Sequence, residues 1–527
     1  MQKEKPSIEA YFKMPNPGLR AYFKHNVDGQ PDDYRPPFWN KMDRSKVLGI
    51  WQRKLDAMRI ESKFPDLYKF EMDMKDKVGP MSIQLPLQDR IEDIENYFTM
   101  VKLDSEPLSD ASIAATIKYF SSAGGIRLRS LTKTMEKMKK STNSGSCYFT
   151  KRRNVVDATL DSYIRGMTGI YPDGDYSMCA VLGWRGQEGG IEDDDVKQRV
   201  VWMMPFLLNL YELQFYQPAI EAMQKNSKIP AYVSMDAVDQ EVTALFDTKG
   251  NNDLVICTDF SKFDQHFNVD MQNAAYRVIE KLMSPSSESQ IWLKDIFDLK
   301  YHLPIICSED VMFTGSHGMG SGSGGTNFDE CMAHKCLQFE SALDNNAKLN
   351  PHSMAYGDDG ILTYPGITVD SVVQTYTRHG QEMNATKQYA SKHDCVVLRR
   401  WHGTDYRVNG TMVGVYSTFR ALGRLLAQER FYDPEKWSKE LVTLRALSIL
   451  ENCKWSPYFH EFIEFVITGD KYRLGLNIPD FFSSLERRAK EAEREFTDFL
   501  GYTKSLQDND PSSGINNWEV VKYLKSR

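Results

Sequence analysis

Two adjacent carboxylates, Asp358 and Asp359, lie between glycines inside a short apolar stretch, residues 353–362 (SMAYGDDGIL). Apolar residues, a tight acidic turn, then apolar residues again is the pattern of a two-residue hairpin. Glycines at 357 and 360 are expected to supply the unusual backbone angles of its turn. Carboxylates held side by side repel one another. A divalent cation is the usual compensation, and carboxylate oxygens suit hard Mg²⁺. Alone, the triplet reads first as an ordinary acidic turn, so its partners elsewhere in the chain decide. A second carboxylate site follows the continuous apolar run 254–257 (LVIC), which reads as a buried strand with Asp259 at its end. Asp264 comes five residues later, before a helix expected to begin near Val269.

Cations and glycines complete the set. Lys197 and Arg199 are two apart, so a strand there would show both on one face, a natural seat for phosphate. The densest glycine run, residues 315–327, feeds a helix expected from Phe328 to about Leu343, which suits close approach to phosphate or sugar. Residues 127–153 hold Arg127, Arg129, Lys133, Lys137, Lys139, Lys140, Lys151, Arg152 and Arg153 against the single acid Glu136. They flank a small polar loop at 141–146 that would let a nucleic-acid strand come close to the backbone.

In this order the motifs resemble those of viral RNA-dependent RNA polymerases. Asp259 and Asp264 match the family's first palm motif, residues 321–326 (SGSGGT) its second and Gly357-Asp358-Asp359 its third. Lys387 looks like the lysine of the fourth motif, and residues 398–401 (LRRW) look like the fifth, beside the primer strand. Lys197 and Arg199 resemble the fingers motif that grips the incoming triphosphate; Ser144 and Gly145 resemble the motif at the template entrance. The resemblance covers about residues 141–402. The double-glycine loop, Glu330 and the chain length look most like picobirnaviruses, small viruses with segmented double-stranded RNA genomes, with partitiviruses as second choice. One position departs from the family pattern. Where an Asn commonly stands four residues after the motif threonine, this chain has Glu330, while Asn327 directly follows Thr326.

The resemblance implies an α+β, right-hand fingers–palm–thumb polymerase in its closed, encircled form, whose palm has a central antiparallel sheet. It implies an RNA-directed RNA polymerase that replicates and transcribes a viral double-stranded RNA genome, with reverse transcriptase and a non-catalytic RNA-packaging protein as alternatives. Asp259, Asp358 and Asp359 would hold two Mg²⁺ ions, with Mn²⁺ as a substitute, about 3.5–4 Å apart, and Lys387 would donate a proton to pyrophosphate. Lys197, Arg199, Asp264, Ser321, Thr326 and Asn327 would bind the nucleotide. Ser144, Gly145, Lys151, Arg152, Arg153, Arg185, Arg399 and Arg400 would bind RNA. The implied partners are template RNA, product RNA, ribonucleoside triphosphates and a viral capsid protein; the implied setting is the virion interior and host cytoplasm.

Positioning such a site takes a large scaffold, and 527 residues exceed one ordinary core. The expected division is an N-terminal extension over 1–105 bridging fingers and thumb, fingers over 106–250, palm over 251–283, a fingers insertion over 284–320, palm again over 321–402, and thumb and tail over 403–527. The first forty residues read as an extended arm, residues 395–401 as one strand, and the last forty as a loose tail. A 41% hydrophobic and 26% charged composition excludes wholesale disorder. The net charge of −7 excludes a simple basic coat, while leaving room for a basic inner surface. The 8 cysteines form no CxxC pair, which fits reduced thiols without zinc. Residues 1–5 carry no apolar run, so no signal peptide is expected, and the greasiest run, 200–210, is too short to span a bilayer.

Overall fold

The computed structural model describes residues 1–433, 435–495 and 514–527. At its centre is a four-stranded antiparallel sheet, ordered Met354–Tyr356, Asp359–Leu362, Val255–Thr258, Tyr389–Ser391. Val255–Thr258 is buried throughout, as its unbroken apolar run requires. Against the sheet lies the helix Thr326–Asp344, which in turn packs on Val269–Leu282, capped by Asn268 through the Met271 amide.

Tyr356 pairs with Asp359, so the two-residue turn is Gly357 and Asp358. Gly357 has a φ of 62°, the left-handed value such a turn needs. Gly360 has a different duty from the one expected. It sits in regular strand, and a Cβ there would come 2.6 Å from Cε1 of His334, so its bareness admits an imidazole.

A second sheet has five strands, ordered Gln2–Glu4, Met312–Thr314, Ile305–Ile306, Ala180–Gln187, Lys197–Met203. The pair of cations therefore does lie on a strand, and Arg199 sits directly across from Arg185. The N-terminal residues are not simply extended. After Gln2–Glu4 come the helices Ile8–Tyr11 and Pro17–Asp28, with Leu19 and Phe23 buried beside Val181 and Ile306. Further on, Trp51 of the helix Arg44–Ala57 stacks on Phe465 with centroids 5.2 Å apart and donates to the Thr418 hydroxyl at 2.8 Å. One chain segment thus ties the five-stranded sheet to the helical C-terminal lobe.

Two further expectations are corrected. Residues 395–401 are not one strand but parts of a hairpin, Asp394–Val397 and Arg400–Gly403, turning at Leu398 and Arg399 with φ of 50° and 61°. The chain end is not loose: Glu519–Lys525 is a helix that buries Val520, Val521 and Leu524 in the C-terminal lobe. The polar stretch 508–513 lies outside the described residues. All 8 cysteines are free and buried, and among the described residues no helix is long and apolar enough to cross a membrane.

Candidate active site

Asp259, Asp358 and Asp359 open on one cleft of about 710 Å³, which Lys197, Lys387 and Arg399 also line. The strand Val255–Thr258 delivers Asp259 to its end, where Gln388 clamps the backbone: its Oε1 accepts from the Asp259 amide at 2.8 Å and its Nε2 donates to the Asp259 carbonyl at 2.9 Å. Asp358 rides the tip of the neighbouring hairpin. Asp359 is turned towards the next hairpin, where its Oδ2 accepts from the Leu398 amide at 2.6 Å. Desolvation and the adjacent Asp358 push the Asp359 carboxyl up to about 7. The exposed surface of Asp358 faces the cleft interior, so desolvation, then the Asp264 carboxylate, raises its pKa as well. Lys387 is exposed at the cleft wall.

Beside this cleft, Arg199 Nη2 donates to Asp264 Oδ2 at 2.6 Å. That carboxylate holds the guanidinium further above its ordinary pKa. Glu330 is buried next to the pair, its Oε1 without a hydrogen-bond partner among the described residues. Burial and the Asp264 carboxylate push its carboxyl well above the usual range. Asn327 is engaged elsewhere, its Oδ1 accepting from the Tyr232 hydroxyl at 2.8 Å. Of the two residues left open by the sequence, Glu330 is therefore the one that confronts Asp264.

The glycine loop serves the protein's own packing more than an open approach. A Cβ on Gly322 would lie 1.8 Å from the Trp202 carbonyl oxygen, and one on Gly325 would lie 2.0 Å from the Tyr216 ring. Ser321 Oγ accepts from the Trp202 amide at 3.1 Å, and Thr326 Oγ1 donates to the Gly320 carbonyl at 3.1 Å. Both hydroxyls thus brace the loop against the Lys197–Met203 strand or itself.

A second cleft, of about 1130 Å³, is lined by Lys139, Lys151, Arg152, Arg153, Arg185, Arg199, Arg430, Lys436 and Arg494, with no Asp or Glu among the described residues that line it. So one-signed a wall suits a polyanion. Within it Arg152 is anchored: it donates to Asn209 Oδ1 at 2.7 Å, lies over the Phe206 ring and is lowered by burial to about 10. Ser144 and Gly145 do not face the cleft. Ser144 is buried with its hydroxyl on the Thr150 amide, and Gly145, at φ 64°, leaves room for the Met204 carbonyl. Arg400 is likewise corrected: it is buried, donates to the Gly414 and Asn452 carbonyls and cannot meet RNA as placed. Its neighbour Arg399 occupies the exposed turn, 3.6 Å from Glu188. Glu188 is a feature that sequence reasoning missed. It also meets Arg420 at 2.9 Å and Arg424 at 3.9 Å, joining the loop after Ala180–Gln187 to the C-terminal lobe. Its only signal was an acid beside Gly189 and Gly190.

Comparison with known proteins decides the family. Residues 191–451 match the family described as viral RNA-dependent RNA polymerase. A potential RNA-dependent RNA polymerase of human picobirnavirus (strain Human/Thailand/Hy005102/-) is 51% identical over 98% of both chains. The chain belongs to the viral RNA-dependent RNA polymerases. Crystal structures agree: the RNA-dependent RNA polymerase of a human picobirnavirus superposes with a TM-score of 0.93 at 50% identity, covering 99% of this chain and all of that one. An insertion-loop deletion mutant of a human picobirnavirus polymerase gives 0.92 at 48% identity, covering 99% of this chain and all of that one. The polymerase has the closed fingers–palm–thumb fold, and its central antiparallel sheet is the palm. Its substrates are RNA and ribonucleoside triphosphates, and enzymes of this family work with divalent metal ions.

Proposed function

We propose that this polymerase replicates and transcribes a double-stranded RNA genome of the picobirnavirus kind, by metal-dependent nucleotidyl transfer centred on Asp259, Asp358 and Asp359. The observation that carries the reading is the shared cleft, in which carboxylates about a hundred residues apart in sequence face Lys197, Lys387 and Arg399. The donor set fits Mg²⁺ or Mn²⁺: all three ligands are carboxylates, and the raised Asp358 and Asp359 mark a negative charge that a cation would relieve. Among the described residues no three ligating side chains already form a cage, so nucleotide phosphates would complete the ligand sets.

Two bound Mg²⁺ ions would acidify the primer 3′-hydroxyl and neutralise charge on the departing pyrophosphate. The side chains do the rest. Arg199 and Lys197 bind the triphosphate; Arg199 exchanges one oxygen of Asp264 for phosphate, which frees that carboxylate to accept from the ribose 2′-hydroxyl. Glu330, buried behind, orients Asp264. Lys387 gives a proton from Nζ to the leaving pyrophosphate oxygen. Arg399 steadies the primer backbone at the turn tip, and Lys151, Arg153 and Arg185 guide the template along the basic cleft. We assign residues 1–105 to the bridge between fingers and thumb, 106–250 and 284–320 to the fingers, 251–283 and 321–402 to the palm, and 403–527 to the thumb and tail. The virion interior, the host cytoplasm and a capsid-protein partner rest on the resemblance alone.

The test is template-directed incorporation by the purified chain with RNA template and Mg²⁺, run in parallel with ribonucleotides and deoxynucleotides. Ribonucleotide incorporation at least about tenfold more efficient is expected, because an unpaired acceptor costs about 1–3 kcal/mol. A preference for deoxynucleotides would favour a reverse transcriptase, and RNA binding without synthesis would favour a packaging protein.

A further inference from the structure

The helix Thr326–Asp344 does more than support the palm. Three of its side chains point into the acidic hairpin and donate to its backbone. Lys335 Nζ meets the Ser353 carbonyl at 2.5 Å, Gln338 Nε2 meets the Met354 and Ile361 carbonyls at 2.8 and 3.2 Å, and His334 Nδ1 meets the Gly357 carbonyl at 2.8 Å. Only the last reaches the turn. A carbonyl can only accept, so Nδ1 carries the proton. The ring is fully buried, which lowers its pKa to about 4 and leaves it neutral. Nε2 is then a bare lone pair, buried without a hydrogen-bond partner among the described residues.

An imidazole with one nitrogen orphaned in a dry core is a costly choice where Phe or Leu would pack. The compensating feature is the bond at the other nitrogen, to the carbonyl just before Asp358. The same ring meets Phe260 edge-on, with centroids 5.1 Å apart at 86°, and Phe260 directly follows Asp259. Phe260 is fixed in turn by stacking on Tyr376 at 5.7 Å. One side chain therefore touches both arms that carry the carboxylates: the strand end through a ring, and the hairpin tip through a hydrogen bond. Gly360 keeps the space open for it.

We infer that His334 is a positioning residue that sets the separation between Asp259 and Asp358. This rests on the reading of those carboxylates as the metal-binding pair. An outer-shell partner of this type is worth about 10–100-fold in metal affinity or activity.

The decisive variant is His334→Phe, which keeps the ring against Phe260 and removes the donor. Three quantities are compared with wild type: kcat and nucleotide KM in RNA-templated extension, Mn²⁺ affinity by electron paramagnetic resonance, and the melting temperature. The expected result is a kcat and an Mn²⁺ affinity each lower by about tenfold or more, with nucleotide KM and RNA affinity within about twofold and a cooperative melt. Wild-type kcat and Mn²⁺ affinity in a folded His334→Phe protein would overturn the inference. If that variant does not fold, His334→Asn and His334→Ala decide, since the Asn amide can still donate to Gly357. Recovery of Mn²⁺ affinity by Asn but not by Ala supports the inference; equal defects overturn it. Asp358→Asn, run alongside, separates the two claims: its activity must vanish if the carboxylate reading is right, whatever His334→Phe does.

Discussion

Arg199 illustrates how a residue's neighbours refine its duty. From sequence it pairs with Lys197 as a clamp on phosphate. In the folded protein the two diverge: Lys197 lines the acidic cleft, while Arg199 lines the basic one and holds Asp264 at 2.6 Å. It thus stands where the triphosphate and the template path adjoin. Arg199→Ala is expected to lower kcat/KM for nucleotides by roughly 2–4 kcal/mol, the range for losing a preorganised charged donor, with RNA affinity little changed. Steady-state kinetics beside an RNA-binding titration checks this. Lost RNA affinity with intact nucleotide kinetics would move Arg199 to the template path. The carboxylates were legible because each interrupts an apolar run, where a charge has few other reasons to be. Arg399 and Arg400 were not separable, because a turn between them sends one to solvent and the other into the core. Ser144 was misread because small polar residues serve turns as readily as ligands.

Elements with a clear pattern were readable. The apolar run 254–257 marks the strand Val255–Thr258, and the helix expected near Val269 is Val269–Leu282. The hairpin at Leu398 and Arg399 was hidden because its turn holds no glycine, and two non-glycine residues adopt positive φ there. The glycine loop was visible but its purpose was not, since glycine admits a protein carbonyl as well as a phosphate. The basic segment was visible as charge, and folding sorts it. Arg152 is anchored by Asn209 and Phe206, while Lys151 and Arg153 are exposed in the cleft. Lys151→Ala with Arg153→Ala should therefore flatten the log–log salt dependence of single-stranded RNA binding by roughly 0.7 for each phosphate that is no longer neutralised. Fluorescence anisotropy across a salt series measures the slope; an unchanged slope would return both residues to ordinary solvated surface.

Across the whole molecule, distant segments converge on one place. The N-terminal strand closes the five-stranded sheet, Trp51 reaches the C-terminal lobe, and Glu188 meets Arg399, Arg420 and Arg424 across the gap between lobes. None of these long-range pairings has a local period to betray it, which is why the N-terminal residues read only as an arm. The central sheet between them brings Asp259 to Asp358 and Asp359. Everything proposed for the chemistry depends on that convergence. RNA binding, by contrast, depends on the basic cleft, so the two should come apart on mutation. The most direct measurement is single-turnover nucleotide addition by Asp259→Asn and Asp358→Asn, with RNA affinity determined on the same preparations. Each variant should lose nucleotide addition to below a few per cent of wild type, roughly 2 kcal/mol or more in the barrier, while binding RNA within about twofold of wild type. Continued extension by either variant would contradict the account.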